Sequence, residues 1–476
     1  MKRDLTSLEK FLISDYETQF ALLKDPATKV QVQAWMGPVA FTQFVKCGPP
    51  GAGHLGTESK NVIFVPGVMG STLQSNGLGG VWWLDIARAR DKLDQLKLTN
   101  DGQGDIDKDA DVVPGAVDLS YGPFRKAVAT SKNFGGSVHF PYDWRKSMRA
   151  SADALRDVII HTYEEYGKKV HLVGHSMGGL MIRTALMIHG KELWPKVDRI
   201  VFIGTPHYGS ASIAGYLKNH LWGLEAIAIL GMFLSRETFR SMRGVLSLLP
   251  APAGVYPGTR NGKDHPCANF EMYDAKAWNL DLDAAATVHL QDVLDEVRKF
   301  HTELYQWHDS LLQDYKERML VIAGVGQETL FRLEFDRALW GVWKHTKKIT
   351  ERIRCDSHRD GDGRVPLASA LLEDVTTRYI KGEHGGLPNI PAVAQDVLAW
   401  LNGDKLGLPA TCGGAFGGHL SAADETSSAP LLDGSEGPSR FRDLPMYEDP
   451  TPDWRAKIEA DLDAGKFPKM NLIKIL

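Results

Sequence analysis

The chain has 476 residues, 43% of them hydrophobic and 24% charged, which excludes wholesale disorder and collagen, and its four cysteines are too few for a disulfide scaffold. Its 55 Lys and Arg against 59 Asp and Glu leave a formal charge of −4, so there is no global basic field and no nucleic-acid partner is expected. No window holds 18 uncharged apolar residues; the nearest, 221–234, is shorter and contains Glu225, so no spanning helix is expected.

In chain order, the N-terminus carries Lys2 and Arg3, but Asp4, Glu9, Lys10, Asp15 and Glu17 interrupt any apolar signal core. A short amphipathic helix is expected there, on a cytoplasmic protein able to touch a membrane surface peripherally. Cys47, Cys267, Cys355 and Cys412 lie far apart and form no metal spacing, which fits reduced thiols. Apolar runs at 61–65 (NVIFV), 137–140, 170–173 (VHLV), 199–203 (RIVFI), 319–323 (MLVIA) and 377–380 read as strands. Several are nearly continuous Val, Ile, Leu and Phe, as parallel strands covered on both faces must be. Helical patterns at 123–131, 149–165, 179–188 and 390–401 alternate with them, which predicts an α/β layer architecture. Two stretches break the alternation. Residues 210–316 read as helix and loop without strands, and 403–476 are rich in Gly, Ser, Pro and Asp, with a helix expected at 452–464. The division predicted is an N-terminal extension (1–58), a core in two parts (59–210 and 319–403), a helical insertion (211–318) and a tail (404–476).

Gly174-His175-Ser176-Met177-Gly178 matches G-x-S-x-G between a strand and a helical run, the setting of a nucleophile elbow. A serine on so tight a turn needs tiny neighbours two residues away, and the following helix N-terminus favours negative charge beside it. A hydroxyl near neutral pH also needs a base, itself oriented by an acid. In α/β-hydrolases these follow in the order Ser, acid, His. Asp362, in the turn DGDGRVP (360–366), is the candidate acid, with Asp360 as its rival. His384, in the loop KGEHGGL (381–387) before the last core helix, is the candidate base, and His175 reads as structural. The oxyanion of an acylation intermediate needs two N–H donors. Met177, after the serine, should give one. Val68, in PGVMGS (66–71), should give the other, with Met69 as second choice.

With these motifs in place the chain resembles the lecithin:cholesterol acyltransferase family of α/β-hydrolases. The matching pieces run in order from NVIFVPGVMGSTL (61–73) through VWWLDI (81–86), FPYDWR (140–145), VHLVGHSMGG (170–179), IGTPHYGS (203–210) and IAGVG (322–326) to DGDGRVPL (360–367) and EHGGL (383–387). The resemblance implies an α/β-hydrolase fold and a Ser-Asp-His acyl-enzyme mechanism on lipid esters. It carries the triad onto Ser176, Asp362 and His384 and the oxyanion donors onto Val68 and Met177.

In this architecture the insertion would lie over the site as a cap or lid. Its apolar run 221–234, and the aromatic and cationic stretch 333–354, are candidate lipid-surface elements, with core packing and a solvated charged face as the competing readings. The acidic loop 101–111 lacks the central glycine and final glutamate of an EF-hand, so no metal is assigned, and no cofactor is expected. The function expected is phospholipase or lipase chemistry with an O-acyltransferase option. An esterase on a polyester, lactone or small-molecule ester is the alternative, and a binding module with a relic triad is a third reading.

Overall fold

The structure is a computed structural model and describes residues 4–47, 60–83, 93–134, 136–218, 234–257, 259, 265–267, 270–335, 353–413, 419–420, 456 and 460. Four short helices come first: α1 (Ser7–Ile13), α2 (Tyr16–Leu22), α3 (Pro26–Met36) and α4 (Pro38–Cys47). The sequence reading expected one. Caps at Thr6, Asp15 and Asp25, each accepting from a backbone N–H of the first turn, divide the segment into several. Their apolar faces meet at Phe11, Leu12, Val32, Phe41 and Phe44, against Val81 of the following core.

Strand β1 (Val62–Val65) opens the core. A small antiparallel sheet follows, β2 (Ser71–Ser75), β3 (Val81–Trp83) and β4 (Val112–Val117), in the order β3-β2-β4. Pro114 sits on an edge strand of it, where a missing N–H is tolerated. Then come α5 (Gly122–Ala129), β5 (Ser137–His139), α6 (Met148–Tyr166), β6 (Val170–His175), α7 (Met177–Leu193) and β7 (Val197–Ile203). The insertion carries α8 (Ala211–Lys218), α9 (Arg236–Ser241), α10 (Arg243–Leu246), the long α11 (Ala284–Asp309) and α12 (Gln313–Lys316). The chain re-enters the sheet as β8 (Met319–Val325) and leaves it as an antiparallel ribbon, β9 (Gln327–Phe335) with β10 (Ile353–Gly361). The core closes with α13 (Leu367–Ala370), β11 (Thr376–Lys381) and α14 (Pro391–Asn402), and a two-residue pair, β12 (Cys412–Gly413) and β13 (His419–Leu420), follows.

The six strands expected from the sequence are the six of the central sheet. Its order is β11-β8-β7-β6-β1-β5, and every pairing is parallel. Alternation along each strand sorts the core into two layers. Ile63, Val65, Leu172, Ile200, Phe202 and Val321 face α6 and α7, whereas Val62, Phe64, Val173, Val201, Ile203 and Ile322 face α5 and α14. Both faces are thus covered, and every residue of β6 and β8 is buried. This is the α/β-hydrolase fold.

The insertion is not a layer apart. Leu290, Val293, Leu294, Val297 and Leu304 of α11 join the same core cluster as α6 and α7. The apolar run 221–234 lies outside the described residues up to Leu234, which packs against that cluster, and residues 336–352 also lie outside them. Leu333 and Phe335, from the aromatic stretch, belong to β9. The first residues after α14 dock rather than trail. The Asp396 carboxylate accepts the N–H groups of Gly407 and Leu408, and Tyr379 donates its N–H to the Pro409 carbonyl. The helix expected at 452–464 lies almost entirely outside the described residues. Among the described residues no helix is long and apolar enough to cross a membrane. Cys267 is a free thiol, and both Cys267 and Cys412 are buried.

Candidate active site

Ser176 stands between the end of β6 and the first turn of α7, with φ 52° and ψ −127°. A non-glycine residue with positive φ is held there at a cost of about 1–3 kcal/mol, a conformation characteristic of strained functional turns. The glycines around it are steric necessities. A Cβ on Gly174 would lie 2.7 Å from the Gly179 nitrogen, and one on Gly178 would lie 2.2 Å from the Val65 carbonyl oxygen. The Ser176 N–H donates to the Ile203 carbonyl, which ties the elbow to β7.

His384 follows β11 and opens a short 3-10 turn. Its Nε2 lies 2.9 Å from Ser176 Oγ and its Nδ1 lies 2.7 Å from Asp362 Oδ2. Ser176, Asp362 and His384 are 3%, 2% and 5% exposed, so this line of hydrogen bonds is shielded from bulk water. Asp362 arrives by way of the β9–β10 ribbon, which folds the chain back to the end of β8. Its Oδ1 accepts the N–H groups of Arg364 and Val365, at 3.0 and 2.7 Å, which leaves Oδ2 for the imidazole. The His384 N–H in turn donates to the Asp362 carbonyl. Asp360 takes no part in this cluster. Its Oδ1 accepts from the Gly326 and Gly361 N–H groups, and burial pushes its carboxyl above the ordinary range.

The second candidate element is the turn after β1. Gly70 N–H donates to the Gly67 carbonyl, and Met69 at its third position has φ 60°. Gly67 faces Ser176 directly, since a Cβ there would lie 3.0 Å from Ser176 Cβ and 3.5 Å from its Oγ. The turn is pinned from several sides. Tyr142 OH donates to the Pro66 carbonyl, Trp83 Nε1–H to the Met69 carbonyl, and Asp118 N–H to the Gly70 carbonyl. The Gly67 N–H donates to Tyr121 OH. Among the described residues the N–H groups of Val68 and Met69 have no such partner. Met177 begins α7, where first-turn amides lack partners within their own helix.

These contacts give the motifs flanking the elbow a physical meaning the sequence did not display. Trp83 of VWWLDI and Tyr142 of FPYDWR hold the turn at 66–71. Trp144 Nε1–H bonds the Ser71 carbonyl, and Arg145 is buried between Asp143 and Asp105, at 2.7 and 2.9 Å. Asp105 also accepts the Val112 N–H, so this carboxylate of the acidic loop is engaged internally. Gly204 and Gly324 lie against Asp362, and neither was singled out as a site residue from the sequence. Together the elbow, the buried Ser–His–Asp line and the nearby amides of Val68, Met69 and Met177 have the layout for activating a hydroxyl nucleophile and receiving an oxyanion.

Residues 136–322 match the family model for lecithin:cholesterol acyltransferase. The mouse phosphatidylcholine-sterol acyltransferase is 26% identical over 174 residues, which covers 35% of this chain and 39% of the mouse protein. A phospholipase A(1) of Arabidopsis thaliana is 22% identical over 300 residues, 55% of this chain and 65% of the plant protein. The human lysosomal phospholipase A and acyltransferase is 29% identical over 151 residues, 30% of this chain and 35% of the human protein. The matched stretches thus span between 35% and 65% of the lengths of these relatives. Among solved structures, the mature lipase BlEst2 of Bacillus licheniformis aligns with a TM-score of 0.35 and 17% identity, covering 74% of this chain and 94% of that one. The matched region 136–322 contains the elbow, β6, α7 and β7, so a chain with the α/β-hydrolase fold is similar over this stretch to the lecithin:cholesterol acyltransferase family.

Proposed function

We propose that the protein is a serine acyl hydrolase of lipid esters, of the phospholipase or lipase type, that works through an acyl-enzyme and can pass the acyl group to an alcohol. The observation that carries this reading is the continuous contact from Ser176 Oγ to His384 Nε2 and from His384 Nδ1 to Asp362 Oδ2, on a strained elbow. In this mechanism Ser176 Oγ attacks the ester carbonyl while His384 Nε2 takes its proton. The oxyanion is met by the amides of Val68 and Met177. His384 then returns the proton to the leaving alcohol, and Asp362 holds the imidazole in the tautomer that presents Nε2 to the serine. Water or a second alcohol, deprotonated by His384, attacks the acyl-enzyme and frees the serine. The lipid assignment rests on relatives named for phospholipase and acyltransferase activity.

The test is incubation with phosphatidylcholine vesicles, with and without an added long-chain alcohol, followed by mass spectrometry. Released fatty acid with lysolipid, or a new ester when alcohol is present, is the expected product set. Good turnover of short soluble esters with no action on vesicles would replace the lipid reading by an esterase on a non-lipid ester. Turnover undiminished in Ser176→Ala would remove the mechanism altogether.

A further inference from the structure

His175, the residue immediately before the nucleophile, is fully buried and takes no part in the proposed proton transfers. Its Nε2 lies 3.1 Å from the carbonyl oxygen of His384, and its Nδ1 lies 2.8 Å from Tyr121 OH. A carbonyl oxygen can only accept, so Nε2 carries the hydrogen. Burial first, and the neighbouring His384 charge second, hold the His175 pKa well below its ordinary value, so the ring is neutral and Nδ1 is a lone pair. Tyr121 must then donate its O–H to Nδ1. Its oxygen in turn accepts the Gly67 N–H at 3.1 Å. Burial also pushes the Tyr121 phenol above its ordinary range, which keeps that proton on the oxygen.

Every hydrogen in this chain of contacts therefore has one direction: Gly67 N–H to Tyr121, Tyr121 O–H to His175, His175 Nε2–H to the backbone of His384. One end is the residue before Val68, and the other is the residue whose ring meets Ser176. The phenol itself is held by Phe64, whose ring stands edge-on at 4.9 Å, and Gly70 leaves room for it, since a Cβ there would lie 3.2 Å from its oxygen. Spending the Gly67 N–H on Tyr121 also removes it as an oxyanion donor.

We propose that Tyr121 and His175 are positioning residues that fix the distance between the oxyanion turn at 67–70 and the His384 loop, so that the Val68 amide and the imidazole meet one tetrahedral centre. This rests on the acyl-enzyme reading above. Neither side chain touches the reacting atoms. A turn set slightly off its place loses an electrostatic contact made only in the transition state, which lowers kcat and spares KM.

The experiment compares wild type, Tyr121→Phe and Ser176→Ala on a soluble p-nitrophenyl ester, with active sites counted by a fluorophosphonate titrant. For Tyr121→Phe, kcat per titrated site should fall on the order of 10–100-fold while KM stays within about twofold. Affinity for a trifluoromethyl ketone, which forms an oxyanion on the serine, should fall by the same factor, and affinity for the matching unreactive amide should not. A merely structural role would lower the titrated fraction and the thermal midpoint and leave those ratios alone; that result overturns the proposal. Should Tyr121→Phe fail to fold, His175→Gln and His175→Leu carry the same test, because Gln keeps an N–H for the His384 carbonyl and Leu does not. A larger kcat loss in Leu supports the proposal, and equal losses overturn it. Turnover persisting in Ser176→Ala would instead sink the acyl-enzyme reading, independently of what Tyr121 does.

Discussion

Gly324 and Asp362 stand so close that a Cβ on the glycine would lie 2.5 Å from the Cβ of the aspartate. Gly204 crowds the same place from the end of β7. It has φ 54°, and a Cβ there would lie 3.2 Å from Asp362 Oδ2 and 3.4 Å from His384 Nδ1. The C-terminal ends of β7 and β8 are thus cut back to bare backbone so that a carboxylate and an imidazole can lie on them. Gly324→Ala needs no unusual backbone angle, so its effect isolates the missing space. The substitution should displace Asp362, costing about 1–3 kcal/mol of stability as overpacking. The kcat should fall on the order of 10–100-fold, since reacting groups shifted by a fraction of an ångström lose alignment. Urea unfolding and steady-state kinetics check both; a fully active variant would mean that Asp362 does not set the rate.

The two candidate aspartates separate sharply. Asp362→Asn keeps an oxygen for the Arg364 and Val365 N–H groups, but it offers the imidazole an amide and so disturbs its tautomer. A loss on the order of 10³–10⁴-fold in kcat is expected, the scale seen for tautomer loss in other Ser-His-Asp enzymes. Asp360→Asn retains an acceptor for the Gly326 and Gly361 amides and should change kcat less than about threefold. The kinetics of the pair decide the assignment, and a reversed order of effects would reject it.

What the sequence announced and what it hid follow from physical range. The parallel strands were legible because burial on both faces writes nearly unbroken apolar runs. Ser176 and His384 were legible because tight turns demand glycine on either side. The sheet β2–β4 left no such mark: its strands are short, and Gly115 and Pro114 dilute the pattern. The β9–β10 ribbon was hidden because its two strands are separated by an aromatic and cationic stretch that reads as a surface element. Tyr121 and Tyr142 were illegible for another reason. Their partners, Gly67 and Pro66, lie 54 and 76 residues away, and nothing in local spacing tells a buried phenol that packs from one that holds a loop.

Arg145 offers a test of the scaffold rather than the chemistry. Its side chain is fully buried and bonds Asp143 through two nitrogens, Asp105 through a third contact and the Leu96 carbonyl. Arg145→Met removes the guanidinium that bonds both carboxylates and leaves Asp143 with the longer Lys146 contact at 3.9 Å. Breaking one side of such a group costs about 3–5 kcal/mol. The thermal midpoint should drop accordingly. Because Trp144 and Tyr142 next to it grip Ser71 and Pro66, the folded fraction should also lose activity per titrated serine. An unchanged midpoint would show that loop 93–112 is held by other means.

The contact between the insertion and α7 should make the protein acid-sensitive. Arg183, two turns beyond Ser176, is buried without a carboxylate partner among the described residues, donating to His207 Nδ1 and the Leu304 carbonyl. His301 and His308 on α11 are buried near it, and each is pushed down from an ordinary 6.5 to about 4, chiefly by burial and further by the Arg183 charge, while hydrogen bonds to backbone oppose the shift. His207 is held well below its ordinary value by burial, Arg183 and His308. Lys316 and Asp374 also face His308, with opposing effects. A folded pKa below the unfolded one means that the unfolded chain binds more protons in acid. The stability from neutral burial is therefore complete above about pH 6.5 and is lost as pH falls through about 4, at roughly 1.4 kcal/mol per pH unit for each histidine. His308→Gln can still donate to the Glu373 carbonyl that His308 Nε2 now meets, and it cannot titrate. Its unfolding free energy should fall less steeply than that of wild type between pH 6.5 and about 4.5, by up to that same slope of about 1.4 kcal/mol per unit. Carboxylates titrate alike in both proteins and cancel in the difference. Parallel pH profiles would mean that His308 is already protonated in the folded state and that another anion balances Arg183.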